Sequence, residues 1–273
     1  MRLVVATTLD DPLARVFWGA YDLAGGLSPE AVFFLEPRRK PPLWRSAIGG
    51  VLLFGPAGSL RSWVSARRSR LDLTRTPQRI FRGVKEFHRF DSLNRGEGLL
   101  ALQRVAPHLL VSVGSPEIFK PPVLRAAAVG AVNVHNGRLP AYRGLFGTFW
   151  EAFGGEAWGY TSIHVMEQGI DSGAVLAQGG VRLAGRSLME ALVAKKQLGG
   201  RLLAWLVRFV DRDGGFPPPC PSSADAVSGY YSWPSLRDMS VLRLKRLRRA
   251  LRRSPGVETA VDTWPAGLAL GDK

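Results

Sequence analysis

The chain is predicted to fold as an open, mostly parallel α/β sheet with helices on both faces, plus a small C-terminal extension. Short apolar runs such as L-V-V-A-T (Leu3–Thr7), A-V-F-F-L and H-L-L-V-S-V-G alternate with stretches of helical periodicity along the first 215 residues. That alternation builds a parallel sheet covered on both sides. At 46% hydrophobic residues, 273 residues can bury a sizeable core, which suits one domain of about 200 residues with an appendage.

Leu3 to Thr7 is expected as the first strand, and Pro12 to Gly25 as a helix ending at glycines. Ala31 to Leu35 and Val84 to Phe87 read as strands two and three, with a helix from about Asn94 to Val105. His108 to Gly114 is a buried strand, Pro122 to Ala128 a helix, and Ala131 to His135 the next strand. Two further strands, Tyr160 to Met166 and Ala174 to Leu183, bracket a glycine-rich loop. Ser187 to Asp211 reads as a long amphipathic helix, capped by Ser187 and stopped at Gly214-Gly215. The catalytic domain is therefore placed at 1–215. A Pro-rich linker (P-P-P-C-P) and a basic extension occupy 216–273, with a turn and a basic helix in Tyr230–Arg253 and a frayed last 20 residues.

Cys220 is the single cysteine, so no internal disulfide forms and a reducing, cytoplasmic setting is expected. The start, M-R-L-V-V-A-T-T, is a poor signal peptide and a good strand. One cysteine and four scattered histidines give no metal-ligand spacing, so no metal is expected. The net charge of +15 is uneven. Pro37 to Gly83 carries eleven Arg and Lys against one acid, Asp72, and seven of the thirteen residues from Val241 to Arg253 are cationic. Such clustering fits an anionic partner (a phosphorylated substrate, RNA or an acidic membrane surface) or simple solubility. The 37–83 stretch reads as an inserted arm. Trp44 and Trp63 beside arginines suit a membrane interface, but the favoured reading is a helical hairpin packed on the domain with its tryptophans partly buried.

The chemistry concentrates in N-V-H-N-G-R-L-P-A-Y-R-G, Asn133 to Gly144, and G-Y-T-S-I-H-V-M-E-Q-G-I-D-S-G, Gly159 to Gly173. Strand residues i and i+2 share a face, so the Asn133 amide and His135 imidazole point at one spot. Asp171 follows 36 residues after His135, between Gly169 and Gly173. An amide donor, an imidazole and a carboxylate suit acyl transfer to an amine. Two hold the developing oxyanion, and the carboxylate keeps the imidazole charged and helps remove the amine's proton. His164 fits either support of that site or a structural place.

These residues resemble the folate-dependent formyltransferase family, whose pattern reads N-x-H-x-S-x-L-P-x-Y-R-G, then W, G-x-T-x-H and I-D-x-G. The matching positions are Asn133, His135, Leu139, Pro140, Tyr142, Arg143, Gly144, Trp150, Gly159, Thr161, His164, Ile170, Asp171 and Gly173. The resemblance implies a Rossmann-like fold, 10-formyltetrahydrofolate as formyl donor, and Asn133, His135 and Asp171 as the catalytic triad. It also implies that Ser115, Pro116, Glu117, Ile118 and Phe119 line one side of the pterin pocket, with Glu167, Gln168, Gly169 and Ile170 closing the other. Tyr142, Arg143 and Gly144 fall on the acceptor side, where Arg143 either holds a phosphate or pins the loop. Two departures touch that side: Gly137 replaces the usual serine, and L-F-G-T-F-W follows Gly144 without the common prolines.

Among acceptors, the glycinamide-ribonucleotide type is disfavoured because A-T-T-L-D-D follows the first strand in place of a glycine-rich phosphate loop. The tRNA type carries a C-terminal barrel of about 100 residues, whereas 58 residues follow Gly215 (273 minus 215), so no tRNA-specific domain is expected. A nucleotide- or lipid-linked amino sugar remains, with hydrolysis of the donor, or a non-catalytic nucleic-acid or membrane-binding role, as alternatives.

Overall fold

The computed structural model describes residues 1–36, 43–221 and 228–251. In chain order the strands are β1 (Leu3–Thr8), β2 (Ala31–Leu35), β3 (Glu86–Phe90), β4 (Leu109–Val113), β5 (Gly130–His135), β6 (Arg143–Gly144), β7 (Trp158–Val165), β8 (Val175–Arg182) and β9 (Tyr230–Tyr231). The helices are α1 (Ala14–Leu23), α2 (Leu43–Arg75), α3 (Gly96–Val105), α4 (Pro121–Leu124), α5 (Gly147–Gly154), α6 (Leu188–Asp213) and α7 (Leu236–Leu251).

Seven strands form one sheet in the order β3-β2-β1-β4-β5-β7-β8. The pairs from β3 to β5 are parallel, while β7 runs antiparallel to β5 and β8 antiparallel to β7. The alternation of β1 decides the layering: Leu3 and Val5 face the core beneath α1 and α6, and Val4 and Ala6 face the core beneath α3 and α4. Ser187 caps α6 through a reciprocal box with Glu190, and Gly214 ends it in the left-handed region. Both ends match the sequence expectation.

Three boundaries moved. Strand β3 begins two residues later than expected and ends at Phe90, because pairing with β2 carries the weakly patterned H-R-F along the sheet edge. Helix α4 stops at Leu124, where the chain tightens (Ala126 N donates to Val123 O) and Ala128 N bonds to Pro107 O to enter β5. Asn94 does not open α3; its side chain accepts from Lys120 N and donates to Ile118 O.

Helix α2 is two arms. Gly55 is left-handed (φ 71°) and Pro56 opens the second arm. The arms fold back on one another: a Cβ built on Gly50 would lie 2.6 Å from Ser59 Oγ, nine residues on. The hairpin packs against α7, with Gly49 facing Met239. It is thus docked on the domain, but its tryptophans are not partly buried: Trp44 and Trp63 are 61% and 59% exposed. Part of the 37–83 insert and the expected frayed tail lie outside the described residues.

Candidate active site

The parallel strands end at a cleft of about 540 Å³, as open α/β sheets place their ligand sites. Its floor is the end of β5, where Asn133 and His135 project side by side, and its walls include loops 114–119, 144–148 and 166–171. Asp171 holds a left-handed backbone (φ 50°), a sparsely populated conformation for a residue with a Cβ, and this turns its carboxylate inward.

The carboxylate is bracketed by two imidazoles. Oδ2 lies 3.4 Å from His135 Nδ1 and accepts from Gly144 N at 2.8 Å, while Oδ1 lies 3.4 Å from His164 Nε2. The remote ring nitrogens donate to backbone carbonyls: His135 Nε2 to Tyr142 O at 2.7 Å, and His164 Nδ1 to Val165 O at 2.8 Å. Asn133 Nδ2 sits 3.2 Å from His164 Nε2, which leaves the second amide N–H available. His164 therefore joins the site itself. The G-x-T-x-H pattern was the available signal, but only the antiparallel pairing of β7 with β5 sets it opposite Asn133.

Burial raises the Asp171 pKa, but the hydrogen bond from His164, the charge of His135 and the Gly144 N–H outweigh it, so the carboxyl titrates below its ordinary value. For His135, burial dominates and lowers the pKa, against Asp171 and the Tyr142 carbonyl, which raise it. The expectation that Asp171 keeps this imidazole charged in the free site meets a larger opposing desolvation. The ring gains its proton below the ordinary imidazole range.

Gly137, the departure from the family serine, has a local reason. A Cβ there would lie 2.6 Å from His135 Nε2 and 2.7 Å from Tyr142 O, wedging apart the bond that orients the ring. Gly144 is similarly obligatory, with φ 93° and a built Cβ 2.2 Å from Tyr231 O.

On the expected donor side, Ser115, Pro116, Glu117, Ile118 and Phe119 all line the cleft, as do Glu167, Gly169 and Ile170; Gln168 does not. Glu117 serves as an anchor, accepting from Ser92 Oγ and Leu93 N. Phe119 is buried in the core beneath α3 and α4, while Ile118 stands exposed on the rim. Of the expected acceptor residues only Gly144 faces the cleft. Tyr142 donates its hydroxyl to Glu156 and stacks on Tyr231, and Arg143 is held through its backbone to Gly229 and β9. Beyond Gly144 the cleft wall instead includes Phe146, with Tyr230 and Trp233, which the sequence did not suggest. Trp233 stacks on Phe146 at 4.9 Å, and Trp150 Nε1 ties the segment down through Ser232 O. Among the described residues no cluster of potential metal ligands occurs.

Residues 68–197, which contain Asn133, His135, His164 and Asp171, match the family model for formyl transferase. That matched span, similar to formyl transferase, makes up 130 of the chain's 273 residues. It is 27% identical over 168 residues to a methionyl-tRNA formyltransferase of Caldicellulosiruptor saccharolyticus, covering 58% of this chain and 51% of that protein. The chain spans about half the length of the curated relatives it matches. In fold, the chain is similar to a sugar N-formyltransferase from Shewanella sp FDAARGOS_354 (TM-score 0.53, 17% identity, 89% and 87% of the two chains). It is also similar to glycinamide ribonucleotide transformylase 1 from Symbiobacterium toebii (TM-score 0.52, 17% identity, 78% and 88%).

Proposed function

We propose that this chain is an N-formyltransferase that moves a formyl group from 10-formyltetrahydrofolate to a primary amine, that of a nucleotide- or lipid-linked amino sugar. The observation that carries the reading is the Asp171 carboxylate held between His135 and His164, with Asn133 beside them on the cleft floor. The formyl transferase match supports the donor, as does the make-up of the cleft: apolar Ile118, Met166 and Ile170 stand beside the amide and imidazole donors.

The donor supplies an activated formyl carbon. Asn133 offers its free amide N–H for the oxyanion that develops there as the amine attacks, a role worth about 10²–10³ in rate, and His135 adds an N–H on taking up a proton or turning from Tyr142 O. Asp171, ionised at neutral pH, orients His135 and receives the proton that the attacking nitrogen must lose. The amide bond forms as the carbon–nitrogen bond to the folate breaks, and that proton passes to the folate nitrogen. Support for an amino-sugar acceptor comes from the first loop: none of residues 8–12 lines the cleft. There Asp10 and Asp11 pair with Arg70 and Lys196, so the loop is closed by ion pairs and presents no phosphate cradle.

The test is tetrahydrofolate release from 10-formyltetrahydrofolate with a panel of nucleotide-linked amino sugars, with methionyl-tRNA, and without acceptor. Release with one amino sugar, abolished by His135→Ala, is the expected result. Equal release without acceptor would make the chain a hydrolase. Turnover with methionyl-tRNA alone would move the acceptor to the reading that the sequence relatives favour.

A further inference from the structure

The second arm of α2, Pro56 to Arg75, is built inside out. Its protein-facing positions are small: Gly58, Ser59, Ser62, Ser65, Ala66 and Ser69 are buried or half-buried, and Ser65 Oγ donates to Pro12 O. Apart from Leu73, which is buried in the core, its large apolar residues face outward instead, with Leu60, Trp63, Val64 and Leu71 between 44% and 62% exposed. A helix that simply covers a core carries the opposite arrangement. The first arm repeats the feature, with Trp44, Ile48 and Val51 exposed at spacings of four and three residues.

Cations are interleaved with this apolar face. Arg61, Arg67, Arg68 and Arg75 are exposed on the second arm, and Arg67 stands 5.6 Å over the Trp63 ring. The arm's single acid, Asp72, is buried against Arg15 and offsets none of them. Beside the hairpin, α7 exposes Leu244 and Leu247 next to Lys245 and Arg248. Where α7 meets the hairpin, a slot of about 320 Å³ is lined by Leu52, Leu53, Leu242 and Leu247 and flanked by Arg243 and Arg246.

We propose that the outward face of this hairpin, with α7, docks on an acidic phospholipid surface. Exposed tryptophan and leucine among arginines is the composition that settles at the headgroup boundary, where apolar side chains enter the acyl layer and guanidinium groups meet phosphate. The slot takes an acyl chain beneath an anionic headgroup. Attachment is peripheral, since no helix among the described residues is long and apolar enough to cross a membrane. The inference stands independently of the acceptor.

The experiment is co-sedimentation of the full chain with vesicles of phosphatidylcholine alone and of phosphatidylcholine containing one quarter phosphatidylglycerol, with tryptophan emission recorded in parallel. Binding to the acidic vesicles is expected, with a blue shift and a loss of affinity in high salt. Arg67→Gln with Arg68→Gln should weaken binding about 25-fold, from about fivefold per cation at a charged surface. Leu60→Ser with Trp63→Ser should weaken binding and diminish the blue shift, which Trp44 then reports, while leaving the circular dichroism and tetrahydrofolate release unchanged. The proposal is overturned by equal binding to the two vesicle types or by no binding. It is equally overturned by RNA binding that survives Leu60→Ser/Trp63→Ser, or by a concentration-dependent dimer that this variant dissolves.

Discussion

Lys195 Nζ donates to Glu151 Oε2 across 2.5 Å, with the two side chains 0% and 1% exposed. Lys195 also donates to Asn136 O, while Glu151 Oε1 accepts from Arg138 N and Tyr160 N. The pair therefore fastens both ends of the turn after His135 to α6 and β7. Burial pulls each partner toward its neutral form and their mutual attraction opposes it, so each needs the other. Lys195→Met should cost about 3–5 kcal/mol in urea unfolding, the scale of an orphaned buried charge. A Lys195→Met/Glu151→Leu double variant should recover most of that stability. Formyl transfer should stay impaired in both, because Asn136 O loses the Lys195 ammonium in each and Arg138 N also loses Glu151 in the double variant. Full activity in the double variant would show that the turn holds itself.

Asp171→Asn keeps the shape of the loop but removes the charge between the two imidazoles. Turnover should fall by at least ~10²-fold, as for a lost acid/base or oxyanion group. His164→Gln should cost less, because it touches the site through Asp171 and Asn133. Equal losses in the two variants would place His164 on the substrate instead.

Acid should destabilise the fold through the same groups. Asp171 is depressed in the folded state, so its contribution is complete above the ordinary carboxyl range near pH 4 and is lost as pH falls through the folded value. His135 is also depressed, so the unfolded chain binds the extra proton first as pH drops below about 6.5. Both slopes have one sign: stability rises with pH across this range. In urea titrations, the gap between the protein and its Asp171→Asn variant should narrow below about pH 4. A constant gap would mean that the folded carboxyl is unperturbed.

Much of this was legible in the chain because the signals are local. Asn133 and His135 share a strand face by period two, Ser187 and Gly214 are cap residues, and Asp171 lies in a glycine-flanked loop. The failures are non-local. Nothing in the local sequence marks Lys195 until the topology slides α6 under the turn after β5. Tyr230 and Trp233 reach the cleft only because β9 pairs with β6, some 87 residues earlier in sequence (230 minus 143). The extension that composition sets apart as an appendage is thus a wall of the site.

Gly137→Ser tests whether the departure from the family pattern serves the imidazole. The added Cβ would press on His135 Nε2 and the Tyr142 carbonyl, and the carbonyl is fixed because Gly144 N beyond it is held by Asp171. The ring must then turn, so kcat should fall while acceptor KM stays near its starting value. Overpacking of this kind costs about 1–3 kcal/mol, too little to unfold the domain.

Trp233 gives the last prediction. Its ring rests on Phe146, remains 55% exposed and faces the cleft, while its segment is anchored by Trp150 and by pairing of β9 with β6. On the proposed reading, a ring held on one side and free on the other would offer a platform to a planar or apolar part of the acceptor. Trp233→Ala should therefore raise acceptor KM by roughly tenfold, the worth of about 1–1.5 kcal/mol for an aromatic contact. The kcat and the KM for 10-formyltetrahydrofolate should hold, since Asn133, His135 and Asp171 are untouched. If the donor KM rose instead, the aromatic wall would belong to the folate, and the acceptor would enter from the side of loop 114–119.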